Sequence, residues 1–321
     1  MRKKIILVTG DPNSINSELI YKSWKKLTNS TKSDLFLISN FDLLSAQFRK
    51  LNYNISLKRV DNISSHFKIK NTIKILNIDL RFKDPFKVPK KSATKFVWDS
   101  LNLAHKLGLQ KNVAGIINCP INKELLKKKH VGVTEYFASK CSIKDDSEVM
   151  VIKSNNLMVS PITTHVDIKS ISKRIKRRII VKKVRTINKW YKAKFSKKPK
   201  IALLGLNPHN GELRKLSEEY KIIIPAVNYI QKFNIDLKGP FASDTIFIND
   251  YKKYDIIVGM YHDQVLSPFK ALFKFDAINL TLGLKYVRVS PDHGVANDKI
   301  LLKKSNPISL LKCIKYIKDS K

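Results

Sequence analysis

The stretch DIIVGMYHDQVLSPFK, residues 255–270, joins a strand-like run to a helix-like run through three polar residues. Residues 255–261 are mostly apolar and predict a buried β-strand. The apolar pattern stops at His262, Asp263 and Gln264, and Lys270 follows in a segment predicted to be helical. Polar side chains at the carboxyl end of a buried strand are typical of ligand sites in α/β proteins. The stretch therefore indicates both a fold class and a candidate site.

Strand-like and amphipathic helix-like runs alternate along most of the chain. Strands are predicted at residues 3–9, 34–39, 113–118, 148–153, 157–162, 199–206, 254–261 and 277–282, and helices at about 14–27, 92–107 and 308–317. Ser14 is the predicted cap of the first helix. The alternation predicts a mostly parallel sheet flanked by helices, and 321 residues leave room for two α/β domains.

Composition bounds the class of protein. A hydrophobic content of 43% allows a globular core, and no apolar run approaches the roughly 18 residues of a membrane span. The N-terminal MRKKIILVTGDPN is predicted to be a first strand, not a signal peptide, because its apolar part breaks at Asp11 and Pro12. The chain has 3 cysteines and no CxxC pair, which indicates buried thiols and a cytoplasmic location.

The net charge of +36 raises the question of a nucleic-acid partner. Residues 169–200 contain many cations and no acids, and their apolar residues recur at helical spacing. One interpretation is a basic helix for nucleic acid or a membrane surface. The other is a helix that packs on a sheet and exposes a lysine-rich face. We favour the packing interpretation, and a nucleic-acid or membrane partner is disfavoured.

Three predicted strands are each followed by a histidine, in a chain that has only 7. These residues are His165, His209 and His262. Because the carboxyl ends of parallel strands lie at one edge of a sheet, the three imidazoles can converge. Three imidazoles around one point would form a divalent-metal site with open coordination positions. Spacing alone leaves open the alternative of three separate structural histidines.

Other residues are candidates for binding an anionic substrate. Lys270, Asn279 and Arg288 follow the metal candidates, and an arginine fork can bind a carboxylate or phosphate through two hydrogen bonds. Asp244 can assist proton transfer or, alternatively, cap a following helix. No GxGxxG and no GxxxxGK[ST] motif is present, which disfavours a Rossmann site or a P-loop. The residues alone indicate a metal-dependent α/β enzyme for a small anionic substrate.

Several motifs occur in the order typical of one enzyme family. They are TGDPNSINSEL, CPINKELL, GVTEYF, TTH, GLNPHNGE, GPFASDTIF, MYHDQ and INLTLGLKYVRVSPDHG. Over nearly the whole chain the sequence resembles the 4-hydroxythreonine-4-phosphate dehydrogenases. The resemblance implies a two-domain isocitrate/isopropylmalate-dehydrogenase-like α/β fold with mostly parallel sheets and an interdomain active-site cleft. It also implies NAD or NADP bound without the Rossmann glycines, and a homodimer with shared active sites.

The resemblance further implies a role for each candidate residue. His165, His209 and His262 would bind a divalent metal (Zn, Mg, Mn or Co). A small phosphorylated substrate would contact Thr134, Lys270, Asn279 and Arg288, with Asp244 and Lys270 catalytic. The expected domains are residues 1–133 plus 280–321, and residues 134–279 with the histidines. The expected reaction is oxidation of 4-phosphooxy-L-threonine at its 3-hydroxyl, followed by decarboxylation to 3-amino-2-oxopropyl phosphate.

The sequence also departs from the family pattern. Val133 stands where the family has a substrate-contacting histidine, although Thr134 remains. Glycines usual in the N-terminal loop and after the NPH motif are absent, and residues 295–299 replace an alanine-glycine loop near the cofactor. Two alternatives therefore stay open. One is a dehydrogenase for another 4-phosphorylated hydroxy acid, such as threonate or erythronate 4-phosphate, and the other is a non-catalytic basic nucleic-acid-binding protein.

Overall fold

The computed structural model describes residues 2–64, 71–126, 132–143, 148–274 and 276–320. The described residues form the β-strands β1 (Lys4–Val8), β2 (Leu35–Ser39), β3 (Ser56–Arg59), β4 (Thr72–Asn77), β5 (Val113–Asn118), β6 (Val149–Lys153), β7 (Met158–Thr163), β8 (Ile201–Leu204), β9 (Leu237–Phe241), β10 (Ile256–Tyr261), β11 (Ile278–Leu282) and β12 (Arg288–Pro291). They also form the α-helices α1 (Asn16–Lys26), α2 (Asn29–Asp34), α3 (Phe41–Lys50), α4 (Lys90–Gly108), α5 (Val133–Lys140), α6 (Ile171–Arg174), α7 (Arg177–Phe195), α8 (Ile224–Gln231), α9 (Ser243–Ile246), α10 (His262–Phe273) and α11 (Ile308–Lys318). All eight predicted strands and all three predicted helices are present.

The chain divides into two compact units. Unit 1 comprises Met1–Lys140 and Lys285–Lys321, and unit 2 comprises Cys141–Leu284. The sequence-based division placed its boundaries after residues 133 and 279, so it assigned Thr134 to the second domain, whereas the structure places Thr134 in unit 1.

Unit 1 contains a fully parallel sheet. Its strand order is β3-β4-β2-β1-β5-β12, and every neighbouring pair runs in the same direction. Helix α4 packs on β1 and β5, and α11 packs on β5 and β12. Helix α4 includes Gly108 as its last residue because a Cβ there would lie only 2.6 Å from the Ile116 side chain of β5. The helix can therefore approach the sheet closely only with glycine at this position.

Unit 2 contains a mixed sheet of order β11-β6-β7-β10-β8-β9. Strand β6 runs antiparallel to both β11 and β7, while β7, β10, β8 and β9 are mutually parallel. Helix α10 packs on β7 and β10. A buried cluster that includes Val159, Ile257 and Phe269 fills the space between them. Each of these side chains is fully buried, and such burial contributes about 1.5–3 kcal/mol per residue. The predicted α/β class with mostly parallel sheets is confirmed.

Helix α7 shows how the basic segment folds. Ile180, Val184, Ile187 and Tyr191 are buried on one face, and the helix packs against α8 and against β6, β7 and β11. The packing interpretation of the apolar stripe is therefore confirmed. Its cations cover the outer face.

Two smaller predictions need different statements. Ser14 is not the cap of helix α1, because Ile15 occupies the N-cap position without a side-chain cap. The Ser14 hydroxyl instead donates to the Asp11 carbonyl and accepts from the Asn16 backbone N–H, so it closes the loop before the helix. The three cysteines are free and buried, as predicted. Among the described residues, no helix combines the length and apolar character needed to cross a membrane.

Candidate functional site

Three neighbouring parallel strands of unit 2 carry the predicted metal ligands. Strand β10 lies between β7 and β8. His165 follows β7 by two residues, His209 lies in the turn Pro208–Leu213 after β8, and His262 directly follows β10. All three strands therefore deliver a histidine at their carboxyl ends, as the sequence predicted. We call these three residues the histidine cluster.

His165 and His262 lie close together. Their ring centroids are 6.1 Å apart and the rings are tilted by 36°. The parallel register pairs Thr163 with Tyr261, and the Thr163 hydroxyl donates to the Met260 carbonyl at 2.7 Å. The ends of β7 and β10 are thus tied together just before the two histidines. Imidazoles that share a zinc ion at about 2.0–2.1 Å have centroids roughly 5–6 Å apart, so this pair is near the required spacing.

The His262 ring is oriented by its neighbour in sequence. Its Nδ1 lies 2.6 Å from Oδ1 of Asp263, in the first turn of helix α10. A carboxylate that accepts from Nδ1–H leaves Nε2 as the lone-pair nitrogen available for a metal. Asp263 therefore has the role that was expected for it.

Gln264 has a different role from the one expected. Its side chain is buried, its Oε1 accepts from the Met260 backbone N–H at 2.6 Å, and its Nε2 donates to the Gly205 carbonyl at 2.7 Å. The amide contacts backbone and does not contact an imidazole. It connects the end of β10 to the end of β8, and this explains a polar residue so soon after a core strand.

The turn that carries His209 has an unusual backbone. His209, Asn210, Gly211 and Glu212 are consecutive and all have φ between 49° and 58°. Left-handed conformations cost roughly 1–2 kcal/mol for each non-glycine residue. Strain of this kind persists only where surrounding bonds hold it, and it is concentrated at functional sites. The backbone thus marks the His209 turn as a candidate site independently of the histidine itself.

Glu219 holds this turn in place. Its side chain is fully buried, and its Oε1 accepts from the backbone N–H groups of Leu206 and Asn207 at 2.7 and 2.8 Å. Its Oε2 accepts from the Asn207 side chain at 3.0 Å. Burial by itself raises the pKa of Glu219, but these hydrogen bonds outweigh it and the pKa lies below its usual value. The carboxylate is therefore charged and anchors the segment just before His209.

The histidine cluster is not a closed metal site in this structure. Among residues 2–64, 71–126, 132–143, 148–274 and 276–320, no group of three or more His, Cys, Asp or Glu side chains is arranged to hold a metal ion. The structure brings His165 and His262 together, and it places His209 on the adjacent strand. The three-histidine metal site stays a prediction.

Unit 1 contains a second group, built around Arg288. Its Nε donates to Oδ1 of Asn118 at 2.8 Å, and its Nη1 donates to Oγ1 of Thr134 at 3.1 Å. Strand β12 places Arg288 beside β5, which ends at Asn118, and Thr134 lies in the first turn of α5. We call Arg288, Asn118 and Thr134 the arginine cluster.

The Arg288 guanidinium is buried, with 3% of its surface exposed. Burial lowers the pKa of Arg288 to about 10, and the nearby Glu135 acts in the opposite direction. The group stays charged at neutral pH. A buried arginine oriented by two neutral acceptors is suited to bind a carboxylate or phosphate. Val133, the residue that departs from the family pattern, precedes Thr134 at the start of the same helix.

The remaining predicted residues lie in unit 2. Lys270 lies on α10 as predicted and is half-buried. Asn279 lies in β11, and its Oδ1 is buried without a hydrogen-bond partner among the described residues. Asp244 is exposed in the first turn of α9, where Ala242 is the N-cap, so the capping alternative is wrong. Helix α9 packs against the turn Pro208–Leu213.

Two residues of these clusters were missed from the sequence. Asn118 ends the buried strand VAGIIN, which is the same signal that identified His262. Glu219 gives no comparable signal, because it occurs in an ordinary polar stretch before a helix. Its importance depends on bonds to residues more than ten positions away.

Comparison with known proteins identifies the family. The model of the family "Pyridoxal phosphate biosynthetic protein PdxA" matches residues 31–317. The chain belongs to this family. Curated relatives named 4-hydroxythreonine-4-phosphate dehydrogenase are 36% identical to it, from Sulfurihydrogenibium over 92% of this chain and 91% of the relative, and from Aquifex aeolicus over 99% and 98%.

Solved structures agree with the sequence match. The crystal structure of 4-hydroxythreonine-4-phosphate dehydrogenase from Klebsiella pneumoniae has a TM-score of 0.86 to this chain and 28% identity, covering 100% of this chain and 98% of that one. A putative enzyme of the same name from Salmonella typhimurium also has a TM-score of 0.86, at 27% identity. The predicted resemblance, the predicted fold and the prediction of an oxidoreductase like these PdxA-family enzymes are confirmed.

Proposed function

We propose that the chain catalyses the dehydrogenation of 4-phosphooxy-L-threonine at its 3-hydroxyl, as a step of pyridoxal phosphate biosynthesis. The observation that carries the proposal is the similarity over at least 92% of the chain to enzymes named for this substrate. Hydride from C3 passes to NAD or NADP, and the hydroxyl proton passes to a base. The resulting β-keto acid loses its carboxylate as carbon dioxide, which leaves 3-amino-2-oxopropyl phosphate.

The arginine cluster supports the binding of an anionic substrate. Arg288 presents a rigid charged fork whose orientation is fixed by Asn118 and Thr134. Because the guanidinium is buried, its attraction for a phosphate or carboxylate is screened less by water than that of a surface lysine. We assign Arg288 and Thr134 to substrate binding.

The histidine cluster supports the binding of a divalent metal. His165 and His262 have a spacing compatible with one cation, and Asp263 leaves Nε2 of His262 available. These two residues and His209 would hold the ion, with zinc, magnesium, manganese and cobalt as candidates. When bound, such an ion supplies Lewis acidity toward a substrate oxygen.

Three further residues of unit 2 take roles in this proposal. Asp244 would accept or relay the hydroxyl proton, since it is an exposed carboxylate on the helix that packs against the His209 turn. Lys270 would contact the substrate and assist catalysis. Asn279 would donate to or accept from the substrate, and its buried Oδ1 has a hydrogen bond to offer. We also propose a homodimer with shared active sites.

A substrate panel tests the proposal. Purified protein with Zn²⁺, Mg²⁺, Mn²⁺ or Co²⁺ is given NAD or NADP and one of three substrates: 4-phosphooxy-L-threonine, erythronate 4-phosphate or threonate 4-phosphate. Absorbance of the reduced nicotinamide is followed, and bound metal is measured in parallel for His165→Ala and for His105→Asn, whose histidine lies on α4 outside the cluster. Turnover of the threonine derivative, with metal lost only in His165→Ala, is expected.

The same panel separates the alternatives. No turnover of any substrate, with metal content unchanged in His165→Ala, would remove the proposal. Faster turnover of a threonate or erythronate phosphate would favour the second candidate. Val133 is the observation behind that candidate, because an apolar side chain beside Thr134 supplies no hydrogen bond to a substrate.

A further inference from the structure

A groove lies in unit 2 between helix α7 and the segment formed by α8 and the residues after it. Its volume is about 1080 Å³. None of the histidine cluster, Lys270, Asn279 or Asp244 is among the residues that line it. The proposed dehydrogenase function leaves this groove unexplained.

One wall of the groove is strongly cationic. It is formed by Arg177, Arg178, Lys182, Arg185 and Lys189 of α7, and the described residues that line the groove include no Asp or Glu. At a rise of about 1.5 Å per residue the cations extend over roughly 18 Å. A ligand that matches this row must carry several negative charges in a line. A second copy of the chain is a poor match, because each copy has a net charge of +36.

The opposite wall is aromatic. Tyr229 and Phe233 are 36% and 44% exposed, and their rings meet edge to face at 5.1 Å. The guanidinium of Arg177 lies 4.7 Å from the Tyr229 centroid, and that of Arg185 lies 5.0 Å from the Phe233 centroid. Arginine on an aromatic ring forms a flat cationic surface on which a planar base can stack.

A buried amide at the groove favours one kind of anion over others. Asn188 lines the groove and is 9% exposed, and its Oδ1 has no hydrogen-bond partner among the described residues. An acceptor in this position needs a donor from the ligand. Inorganic phosphate chains offer mainly acceptors at neutral pH, whereas nucleobases carry amino groups and ribose carries hydroxyls.

We propose that this groove binds single-stranded nucleic acid. The cation row would follow the phosphates, the aromatic wall would stack bases, and Asn188 would accept a hydrogen bond from a base or sugar. The packing of α7 is compatible with this function, since its apolar face is buried in unit 2 while the groove lies on its basic side. The sequence alone disfavoured a nucleic-acid partner, because it does not show that α8 supplies an aromatic wall.

Fluorescence anisotropy with a labelled single-stranded RNA of about ten nucleotides tests the proposal at physiological salt. The variant Arg177→Gln/Arg185→Gln removes two groove cations. Its matched control, Arg174→Gln/Lys192→Gln, removes two exposed cations from the same basic segment outside the groove. We expect binding to weaken at least about tenfold in the groove variant and less than about twofold in the control. The slope of log K against log salt should fall by about 1.4 in the groove variant, at roughly 0.7 per phosphate contact.

Two further variants separate nucleic acid from unspecific charge. Phe233→Leu and Asn188→Leu keep the net charge, and circular dichroism confirms that each variant is folded. RNA binding is expected to weaken about tenfold for Phe233→Leu and severalfold for Asn188→Leu, with heparin binding unchanged. Equal losses in the groove variant and its control would overturn the proposal. So would RNA binding that is insensitive to both Phe233 and Asn188.

Discussion

The arginine cluster and the histidine cluster present opposite solutions to placing polar groups at the ends of core strands. Arg288 is buried, and its fork is held directly by Asn118 and Thr134. The histidines lie on exposed or half-exposed residues, and the bonds that position them come from behind, through Thr163, Gln264 and Glu219. One cluster is fixed by contacts to its own charged group. The other is fixed through the backbone that carries it.

The difference has a consequence for how each cluster responds to change. Removing the arginine leaves buried acceptors without donors, so stability and ligand binding should be lost together. Removing a histidine from the exposed edge removes a ligand but little packing. The supports behind the histidines should show the reverse, with a loss of stability that does not depend on any metal.

The largest expected effect is that of Arg288→Met. The Oδ1 of Asn118 would lose its donor inside the core, and we expect the free energy of unfolding to fall by about 2 kcal/mol in urea titrations. Under the proposed function, kcat/KM for the phosphorylated substrate should fall at least roughly a hundredfold, since a buried charged contact is removed. Arg288→Lys keeps the charge but not the fork, and it should recover only a small part of the activity.

The control for Arg288 is Arg59→Met. Arg59 forms an exposed salt bridge with Asp42 at 2.7 Å and lies over the Phe41 ring. Its loss should change the free energy of unfolding by less than about 1 kcal/mol. Equal effects of the two substitutions would contradict the view that the arginine cluster is a buried, internally bonded group.

The second effect concerns Glu219. Glu219→Gln keeps the shape of the side chain but removes the charge that accepts from Leu206 and Asn207, and a loss of about 2 kcal/mol is expected. The pKa of Glu219 is lowered in the folded protein, so the native state binds fewer protons there than the unfolded chain. Its stabilisation is complete above pH 4.5 or so and is lost as the pH falls through the folded pKa.

Urea titrations at pH 7 and pH 4 measure this contribution. The difference in stability between wild type and Glu219→Gln should be largest at pH 7 and should narrow at pH 4. The exposed Glu124, paired with Lys90, is the control, and Glu124→Gln should show little difference at either pH. A wild type and a Glu219→Gln variant with parallel pH profiles would argue against a charged anchor.

Much of the fold follows from local patterns. Strand β5 was predicted with its full bounds because VAGIIN is a continuous buried run. Strand β3, Ser56–Arg59, escaped notice because it is an exposed edge strand with no apolar alternation. Strand β9 contains Gly239 and Pro240, which weaken any strand signal. These elements depend on their neighbours in the sheet and have no strong pattern of their own.

The site was predictable to the extent that it depends on strand ends. The three histidines were found because each follows an apolar run, and the sheet order then places them on adjacent strands. The left-handed run at residues 209–212 could not be found, because only Gly211 in it favours such a backbone. The function of Gln264 was also missed, since hydrogen bonds to distant backbone leave no trace in the sequence.

A smaller effect is expected for the carboxylate that orients His262. Asp263→Asn replaces the acceptor for Nδ1 with a weaker one and is expected to lower the affinity for Zn²⁺ about tenfold by isothermal titration calorimetry. Asp250→Asn removes an equally exposed kind of carboxylate, one paired with Lys253, and should leave the affinity unchanged. Unchanged affinity in Asp263→Asn would show that the histidine cluster needs no orienting partner at this position.

The smallest effect is a gain in stability, and it tests the strain in the His209 turn. Glu212 has φ 49°, and its only printed contact is a salt bridge with Arg214 at 3.5 Å between exposed side chains, which contributes little. Glu212→Gly should raise the free energy of unfolding by about 0.5 kcal/mol, because relief of roughly 1–2 kcal/mol of strain exceeds the added entropy of the unfolded chain. Glu212→Ala keeps the Cβ and removes the same salt bridge, so it should give no gain. If both variants are equally stable, the left-handed backbone carries no strain, and the histidine cluster is as relaxed as the arginine cluster.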